Sequence, residues 1–137
     1  MLFRSRPSLN ALNEGRTDFI GVDWKPDGTA AIIVGYDVIW HSGTIAVYDG
    51  RNLSPLEFPN KRVYPVDVAW NPKGEVAAIV TATAQPGEAD GNVYLWDGKE
   101  LHHIFRSREF FFNSVAWNKE GTDLVALGSS ATRTFNC

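Results

Sequence analysis

The stretch GVDWKPDG, at residues 21–28, decides the fold because it returns as DVAWNPKG at 67–74 and as SVAWNKEG at 114–121. The tryptophans of the three copies are spaced 46 and 47 residues apart, and the closing glycine also keeps its place. Self-similarity at such a period indicates tandem repeats, each burying its core against its neighbours. The repeat positions are Trp24, Trp70, Trp117, Gly28, Gly74 and Gly121.

A second motif recurs between these copies. GTIAVYDG at 43–50 matches GNVYLWDG at 91–98, and a leucine follows each motif at the same distance, Leu53 and Leu101. The aromatic–aspartate pair in each motif is Tyr48–Asp49 or Trp96–Asp97. Two motifs in one register establish the repeat.

Each repeat is predicted to form short strands. Apolar residues alternate at period two up to each repeat tryptophan, as on a half-buried strand, and a glycine-containing turn follows. The next runs, 30–34, 76–80 and 124–127, are apolar throughout, which predicts strands buried on both faces. The aromatic–aspartate motif and a last strand near 53–58 or 101–105 complete four strands. We therefore predict an all-β chain of about ten strands with almost no helix.

This pattern resembles the WD-repeat family of β-propellers. Trp96–Asp97 is the WD dipeptide itself, and Tyr48–Asp49 is its aromatic variant in the preceding unit. The Gly-His pair that opens many WD repeats is absent, so the looser bacterial and archaeal propeller-repeat families stay open as well. The resemblance covers about residues 19 to 128 and implies a partial β-propeller: tandem four-stranded antiparallel blades, roughly two and a half of them, around a common axis.

The repeat also predicts the domain boundaries. Residues 19–62 and 63–109 are each predicted to form a blade, 110–137 an incomplete blade lacking its outer two strands, and 1–18 the remnant of a preceding blade's last strand. Residues 1–5 match a translated sequencing adaptor, which gives the hypothesis that they are not native. The remaining blades of a longer parent chain are the first expected partners.

Composition narrows the function classes. Hydrophobic residues make up 44% of the 137 and charged residues 21%, enough for a packed core and too few charges for wholesale disorder. The net charge of −3 predicts neither a nucleic-acid partner nor an anionic membrane surface. No apolar stretch reaches the length of a membrane-spanning helix. The single cysteine, Cys137, cannot form an internal disulfide.

No catalytic or metal-binding motif is evident. His102 and His103 are adjacent on a predicted strand, so their side chains point to opposite faces and cannot share one ion. Glu88 and Asp90 could act as an acid–base pair, but solvation in a loop is the simpler interpretation. The sequence therefore predicts no enzyme activity, no metal and no cofactor for this chain.

The tryptophans could bind a ligand by stacking, but their recurrence at one repeat position favours core packing in every blade. Trp40 breaks the repeat and lies in a predicted loop, so it is the better candidate for a binding anchor. His41, beside it, is expected to make an exposed aromatic contact.

Loops predict the candidate interaction surface. In a propeller the loops between second and third strands, here 36–42 and 83–90, emerge on the same face as the links between blades, here 60–64 and 106–110. Such loops often carry binding residues on a rigid scaffold, although ordinary solvated charges are the competing interpretation. The candidate residues are Tyr36, Trp40, His41, Lys61, Arg62, Glu88, Asp90, Arg106 and Arg108.

The function expected is that of a non-catalytic scaffold for protein–protein contact. The alternative is a glycan-binding or enzymatic propeller whose active residues lie in blades outside this chain. A partial propeller also leaves apolar faces uncovered, built from Ala30, Ile32, Val125 and Leu127, so we expect the isolated chain to associate or aggregate.

Overall fold

The computed structural model of the chain describes residues 17–38, 41–59, 63–83, 90–129 and 132–136. These residues form three antiparallel sheets, in which strands consecutive in the chain are neighbours, and none of them lies in a helix. This part of the chain accordingly contains no helix that could span a bilayer. The all-β prediction is confirmed, with eleven described strands where about ten were expected.

The first two sheets have four strands each and the third has three. The first contains β1 (Thr17–Trp24), β2 (Ala31–Asp37), β3 (Ser42–Tyr48) and β4 (Leu53–Leu56). The second contains β5 (Val63–Trp70), β6 (Ala77–Thr83), β7 (Gly91–Trp96) and β8 (Leu101–Ser107). The third contains β9 (Phe112–Trp117), β10 (Asp123–Gly128) and β11 (Thr132–Asn136).

The repeated glycines close the turn after the first strand of each sheet. Gly28, Gly74 and Gly121 have φ angles of 74°, 73° and 72°, a region that glycine enters without steric cost. In each turn the glycine N–H donates to the carbonyl three residues earlier, as from Gly74 to Asn71 at 2.8 Å. The prediction of glycine turns at these positions is confirmed.

Apolar side chains fill the spaces between the sheets. The first core cluster joins Ile32 and Val34 of the first sheet to Val68 and Trp70 of the second. The second joins Ala78 and Val80 of the second sheet to residues of the third, among them Val115 and Leu124. The middle sheet therefore has an apolar face on each side, and each face is covered by a neighbouring sheet.

The repeat tryptophans do not share one environment, so the prediction of a packing role in every unit is wrong for the first. Trp70 is buried at 9% exposure and Trp117 is half-buried against the second core cluster, but Trp24 is 48% exposed. Trp70 and Trp117 each pack toward the sheet before their own. Trp24 belongs to the first of the described sheets, so no described sheet covers it, and its ring makes an edge contact with Tyr48.

Two carboxylates connect the first strands of neighbouring sheets. Oδ2 of Asp23 in β1 accepts a hydrogen bond from the backbone N–H of Trp70 in β5, at 2.7 Å. Oδ2 of Asp67 in β5 accepts one from the N–H of Val115 in β9, at 2.9 Å, and one from the Ser114 hydroxyl, at 3.2 Å. Because β5 and β9 are the edge strands of their sheets, these bonds satisfy backbone groups that no strand pairs.

Glycine also lies at or next to the start of the third strand in the first and second sheets, where another segment passes close by. A Cβ on Gly43 would lie 2.4 Å from the Val63 carbonyl oxygen, and one on Gly91 would lie 2.7 Å from that of Phe110. Both contacts are with backbone, which cannot swing away. Glycine at these two equivalent positions lets the chain that leads into the next sheet cross beside the third strand.

Two of the predicted boundaries need correction. The third unit was expected to lack its outer two strands, but β11 pairs with β10 from Leu124↔Phe135 to Leu127↔Thr132 and supplies a third strand. Residues 17 and 18, assigned to a preceding blade, belong to β1, where Thr17 pairs with Asp37. Residues 1–16, and with them the rest of the predicted remnant, lie outside the described part of the chain.

The apolar second-strand runs also differ from expectation in the third sheet. Residues 31–34 and 77–80 are buried throughout, as predicted, but in β10 burial alternates. Leu124 and Ala126 are buried toward the second sheet, while Val125 and Leu127 are 40% and 49% exposed. Ile32, expected on an uncovered face, is wholly buried because it points toward the second sheet.

Replacing Trp70 with alanine is predicted to lower the free energy of unfolding by about 3–5 kcal/mol, the range for deleting a large buried aromatic side chain. Trp24→Ala is the matched control, since it removes the same side chain at the same repeat position from an exposed site, and should cost about 1 kcal/mol. Urea denaturation followed by circular dichroism measures both. Equal losses for the two variants would contradict the described burial.

Removing the Asp67 carboxylate is predicted to weaken the junction between the second and third sheets. Asp67→Ala loses the hydrogen bonds to Val115 N–H and the Ser114 hydroxyl, and hydrogen bonds to charged groups are worth about 1.5–3 kcal/mol. The exposed turn residue Glu75 gives the control, because Glu75→Ala should change stability by about 0.5 kcal/mol or less. The same denaturation experiment tests this, and an unchanged midpoint for Asp67→Ala would refute it.

Candidate interaction surface

Antiparallel pairing places the connections at two opposite ends of the sheets. The β2–β3 and β6–β7 loops and the β4–β5 and β8–β9 links lie at one end, which we call the loop end. The turns after β1, β3, β5, β7 and β9 lie at the other, which we call the turn end. The candidate interaction residues that the structure describes, Tyr36, His41, Asp90, Arg106 and Arg108, belong to the loop end, and the aspartates of the aromatic–aspartate motif belong to the turn end.

Tyr36 was predicted to lie in an exposed loop, but it is part of β2 and is buried. Its ring contacts that of Tyr64 with the centroids 3.6 Å apart and the planes tilted by 35°. Burial, together with a hydrogen bond to Tyr64, raises the pKa of the Tyr36 hydroxyl well above its usual value of 10. The strand extends further than the motif indicated, so the Tyr36 side chain is buried beneath the surface and is largely shielded from solvent.

His41 and Val38 are exposed near the end of β2, and His41 contacts this aromatic pair. Nδ1 of His41 lies 3.2 Å from the Tyr36 hydroxyl, and the two rings are 6.3 Å apart, so the expected aromatic contact of His41 is with Tyr36 of its own sheet. The His41 backbone has a φ of 52°, a region that side-chain-bearing residues occupy infrequently. Val38 is 43% exposed. Trp40, the predicted anchor, lies outside the described residues.

The charged candidates that the structure describes are a hydrogen-bonded pair and one exposed arginine. Arg106 Nε and Nη2 donate to the two Asp90 carboxylate oxygens at 3.0 and 2.8 Å, a bidentate contact that raises the pKa of Arg106. These two residues therefore neutralise each other instead of presenting opposite charges to a partner. Arg108 is exposed in the link after β8. Lys61, Arg62 and Glu88 lie outside the described residues.

The aspartates of the repeat motif shape turns. Oδ1 of Asp49 accepts from the backbone N–H groups of Arg51 and Asn52, and Oδ1 of Asp97 accepts from those of Lys99 and Glu100, all within 2.7–2.9 Å. The hydrogen bond from the Asn52 N–H is the largest cause of the lowered pKa of Asp49, and the one from the Arg51 N–H comes second. Tyr48 and Trp96, the aromatic members of the motif, are buried. The motif is thus a turn-forming device.

The adjacent histidines of β8 make different contacts, in agreement with the prediction that they point to opposite faces. Nε2 of His102 lies 2.7 Å from Oδ2 of Asp97, and the hydrogen bond raises the pKa of the imidazole. The His103 ring stacks on Tyr94 with centroids 4.6 Å apart. Burial raises the pKa of Tyr94 to about 12. Among the described residues, no three histidine, cysteine or acidic side chains come together as a metal site.

Two loop-end residues were missed by the sequence interpretation. Tyr64 lies at the start of β5, and its contact with Tyr36 joins the second sheet to the first. Val38 directly follows β2. Neither belongs to one of the two repeated motifs, and neither is charged or a tryptophan. An aromatic residue at the end of one strand and another at the start of the next unit's first strand was the available signal.

Comparison with known proteins gives a likeness of fold. No family model matches the chain, and no curated protein matches it. A crystal structure of a eukaryotic initiation factor superposes with a TM-score of 0.62 at 14% identity, over 98% of this chain. A protein assigned as a 6-phosphogluconolactonase from Bacteroides uniformis gives a TM-score of 0.49 at 15% identity over 86%. The chain spans 32% and 36% of the lengths of those two chains.

The Asp97–His102 contact predicts a pH-dependent signal. The His102 imidazole should titrate above its ordinary pKa of 6.5, and Asp97→Asn, which keeps an acceptor oxygen but removes the charge, should lower that value. Because the folded-state pKa is raised, the contact favours folding fully below the unfolded value and loses that contribution as the pH rises through the folded value.

Imidazole resonances followed by NMR between about pH 5 and 9 measure this pKa, since histidine titrates in that range. Asp49→Asn is the matched control, because it makes the same substitution in the equivalent turn of the first sheet, which has no histidine partner for Asp49 among the described contacts. A His102 pKa that is unchanged by Asp97→Asn would show that the contact does not form in solution.

Proposed function

We propose that this chain is part of a β-propeller that acts as a non-catalytic scaffold and presents its loop end to a protein partner. The observation that carries the proposal is the exposure of Val38 and His41 at the loop end, where the His41 ring lies against Tyr36 of the packed Tyr36–Tyr64 pair.

The stacking of the sheets supports the propeller arrangement. The first strand of each sheet lies against the first strand of the next, β1 on β5 and β5 on β9, and both junctions use a carboxylate-to-backbone hydrogen bond. The successive sheets follow the order of the chain. Successive antiparallel sheets that pack face to face through their first strands are what blades around a central axis require.

The contacts that the polar side chains make within the fold support a scaffold role. Asp49 and Asp97 hold turns, Asp23 and Asp67 hold sheet junctions, and Arg106 pairs with Asp90. The hydrogen bonds lower the pKa of Asp49 and of Asp97, and a carboxylate whose ionised form is stabilised in this way is a poor general base. These groups are explained by the fold without an additional chemical role.

The composition of the loop-end surface favours a protein as the partner. The exposed His41 ring on Tyr36, together with exposed Val38 two residues after Tyr36, resembles the mixed aromatic and apolar centres where protein interfaces concentrate their binding energy. Asp90 and Arg106 neutralise each other, so this pair gives no basis for attraction to a polyanion. Loops held on rigid strands are also the usual place for such contacts.

The decisive experiment compares Val38→Asp with Lys119→Gln, which changes the net charge by the same amount at the exposed turn end. A photoreactive amino acid at position 41 captures partners, and each purified partner is then titrated against both variants. We expect a protein partner whose affinity falls at least about tenfold with Val38→Asp, as for loss of an interface centre, and is unchanged with Lys119→Gln.

Two outcomes would refute the proposed function. A partner that loses affinity equally with both variants would bind somewhere other than the loop end. Specific binding of a glycan that Val38→Asp abolishes would instead support a carbohydrate-binding propeller. Circular dichroism of both variants checks that the sheets are intact, since Val38 lies outside the core clusters.

A further inference from the structure

His41 has a backbone conformation that is uncommon for a residue with a side chain. Its φ is 52°, and no other non-glycine residue of the described ranges has a positive φ. The left-handed region is sterically unfavourable for residues with a Cβ, although asparagine, aspartate and histidine enter it more often than the rest. Such conformations persist where neighbouring contacts hold them, and they cluster at functional sites. The contacts of His41 therefore indicate what its side chain is positioned to do.

The contact that holds the His41 side chain is with Tyr36. Nδ1 of the imidazole lies 3.2 Å from the Tyr36 hydroxyl oxygen, and the ring centroids are 6.3 Å apart. Tyr36 is itself buried, and its ring packs on Tyr64 with the centroids 3.6 Å apart. His41 as a whole is exposed, and its Nε2 has no hydrogen-bond partner among the described residues. A packed, buried ring thus holds one nitrogen of the imidazole and leaves the other one available.

The relative acidity of the two groups favours one direction for this hydrogen bond. An imidazole nitrogen is a stronger base than a phenol oxygen, and a phenol is a stronger acid than a neutral imidazole. The Tyr36 O–H therefore donates more strongly to Nδ1 of His41 than to the oxygen of Tyr64, and more strongly than an Nδ1–H would donate to Tyr36. A neutral imidazole carries its hydrogen on one nitrogen and accepts at the other. This direction places the His41 hydrogen on Nε2.

We infer that Tyr36 orients His41 so that its Nε2–H donates a hydrogen bond to a backbone carbonyl oxygen of the partner. Because the inference rests on the proposed function, that partner is a protein bound at the loop end. Val38, exposed at the same end, favours an apolar side chain on the partner next to the carbonyl. A carboxylate acceptor is disfavoured because the buried Asp37 already places a carboxylate near the Tyr36 hydroxyl. Tyr36 is thus a positioning residue, which acts on the partner only through His41.

Nitrogen NMR of the chain without a partner tests this orientation. At about pH 9, where imidazoles are neutral, the resonances of Nδ1 and Nε2 report which nitrogen carries the hydrogen. Wild type should show the single form with the hydrogen on Nε2. Tyr36→Phe, which removes only the hydroxyl, should show a mixture of both forms. Hydrogen on Nδ1 in wild type, or the same mixture in both proteins, would overturn the inference.

Binding is measured with a defined probe, a phage-displayed library of random linear peptides selected on the wild-type chain. His41→Asn suits the left-handed backbone and keeps an amide that can reach Tyr36, but it has no atom at the place of Nε2. We expect it to weaken binding of the selected peptides about five- to tenfold, as for the loss of one hydrogen bond. Tyr36→Phe should weaken binding about two- to threefold, and Lys119→Gln at the turn end should have no effect.

A double-mutant cycle separates positioning from a direct contact. If Tyr36 acts through His41, the double variant Tyr36→Phe/His41→Asn should lose no more affinity than His41→Asn alone. Additive losses would overturn the inference. Peptides sensitive to Val38→Asp but not to His41→Asn would also overturn it, while leaving the proposed function standing.

A library without any peptide sensitive to Val38→Asp would instead refute the proposed function, and the tautomer result would still decide whether Tyr36 orients His41. Circular dichroism of each variant checks that the sheets are intact. Should Tyr36→Phe lose that signal, the wild-type tautomer and the His41→Asn titration still decide the outcome.

Discussion

Each sheet of this chain carries apolar side chains on both faces, and this constraint governs the rest of the structure. The second sheet meets it by lying between two others, with Val68 and Trp70 toward the first and Ala78 and Val80 toward the third. A single such sheet in water would expose both apolar faces. Stability therefore comes from the junctions between units more than from any unit alone, as in other repeat proteins.

The junctions are held by polar contacts as well as by apolar packing. Asp23 and Asp67 each bond to the backbone of the following sheet's first strand, and Asn71 donates to the Gly121 carbonyl in the next turn at 2.8 Å. A Cβ on Gly121 would lie only 2.9 Å from the Asn71 side chain, so that glycine is needed for close approach as well as for its turn. Directional bonds at the strand edge and at the turn together fix the relative position of two sheets.

Much of this fold could be predicted because the alternation of apolar residues along a strand, and hence the set of side chains that share one sheet face, depends only on neighbouring residues in the sequence. Alternation up to each tryptophan indicated which side chains share a face, and the recurring glycines marked the turns. Whether a face is covered is not local, which is why Trp24, Val125 and Leu127 differ from their equivalents. The third strand of the last sheet was missed because residues 132–136 carry no repeat motif.

The candidate site was less predictable for the same reason. The Arg106–Asp90 pair joins residues 16 positions apart, and it depends on the register of β7 with β8, which shifts between Val93 and Tyr94. A charge pattern read along the chain shows both residues as loop charges and does not show that they face each other. The contact between Tyr36 and Tyr64 likewise exists only because two sheets stack.

The two junction carboxylates show what the repeat actually requires. Asp23 directly precedes its tryptophan, whereas Asp67 is three residues before its own, yet both accept from the first strand of the following sheet. Alternate residues of a strand share one face, so both positions point toward that neighbouring edge. The constraint is therefore on satisfying the exposed N–H groups of an edge strand, and more than one position can meet it. A search that demands aspartate at one fixed place would miss one of these two junctions, although the hydrogen bonds are alike.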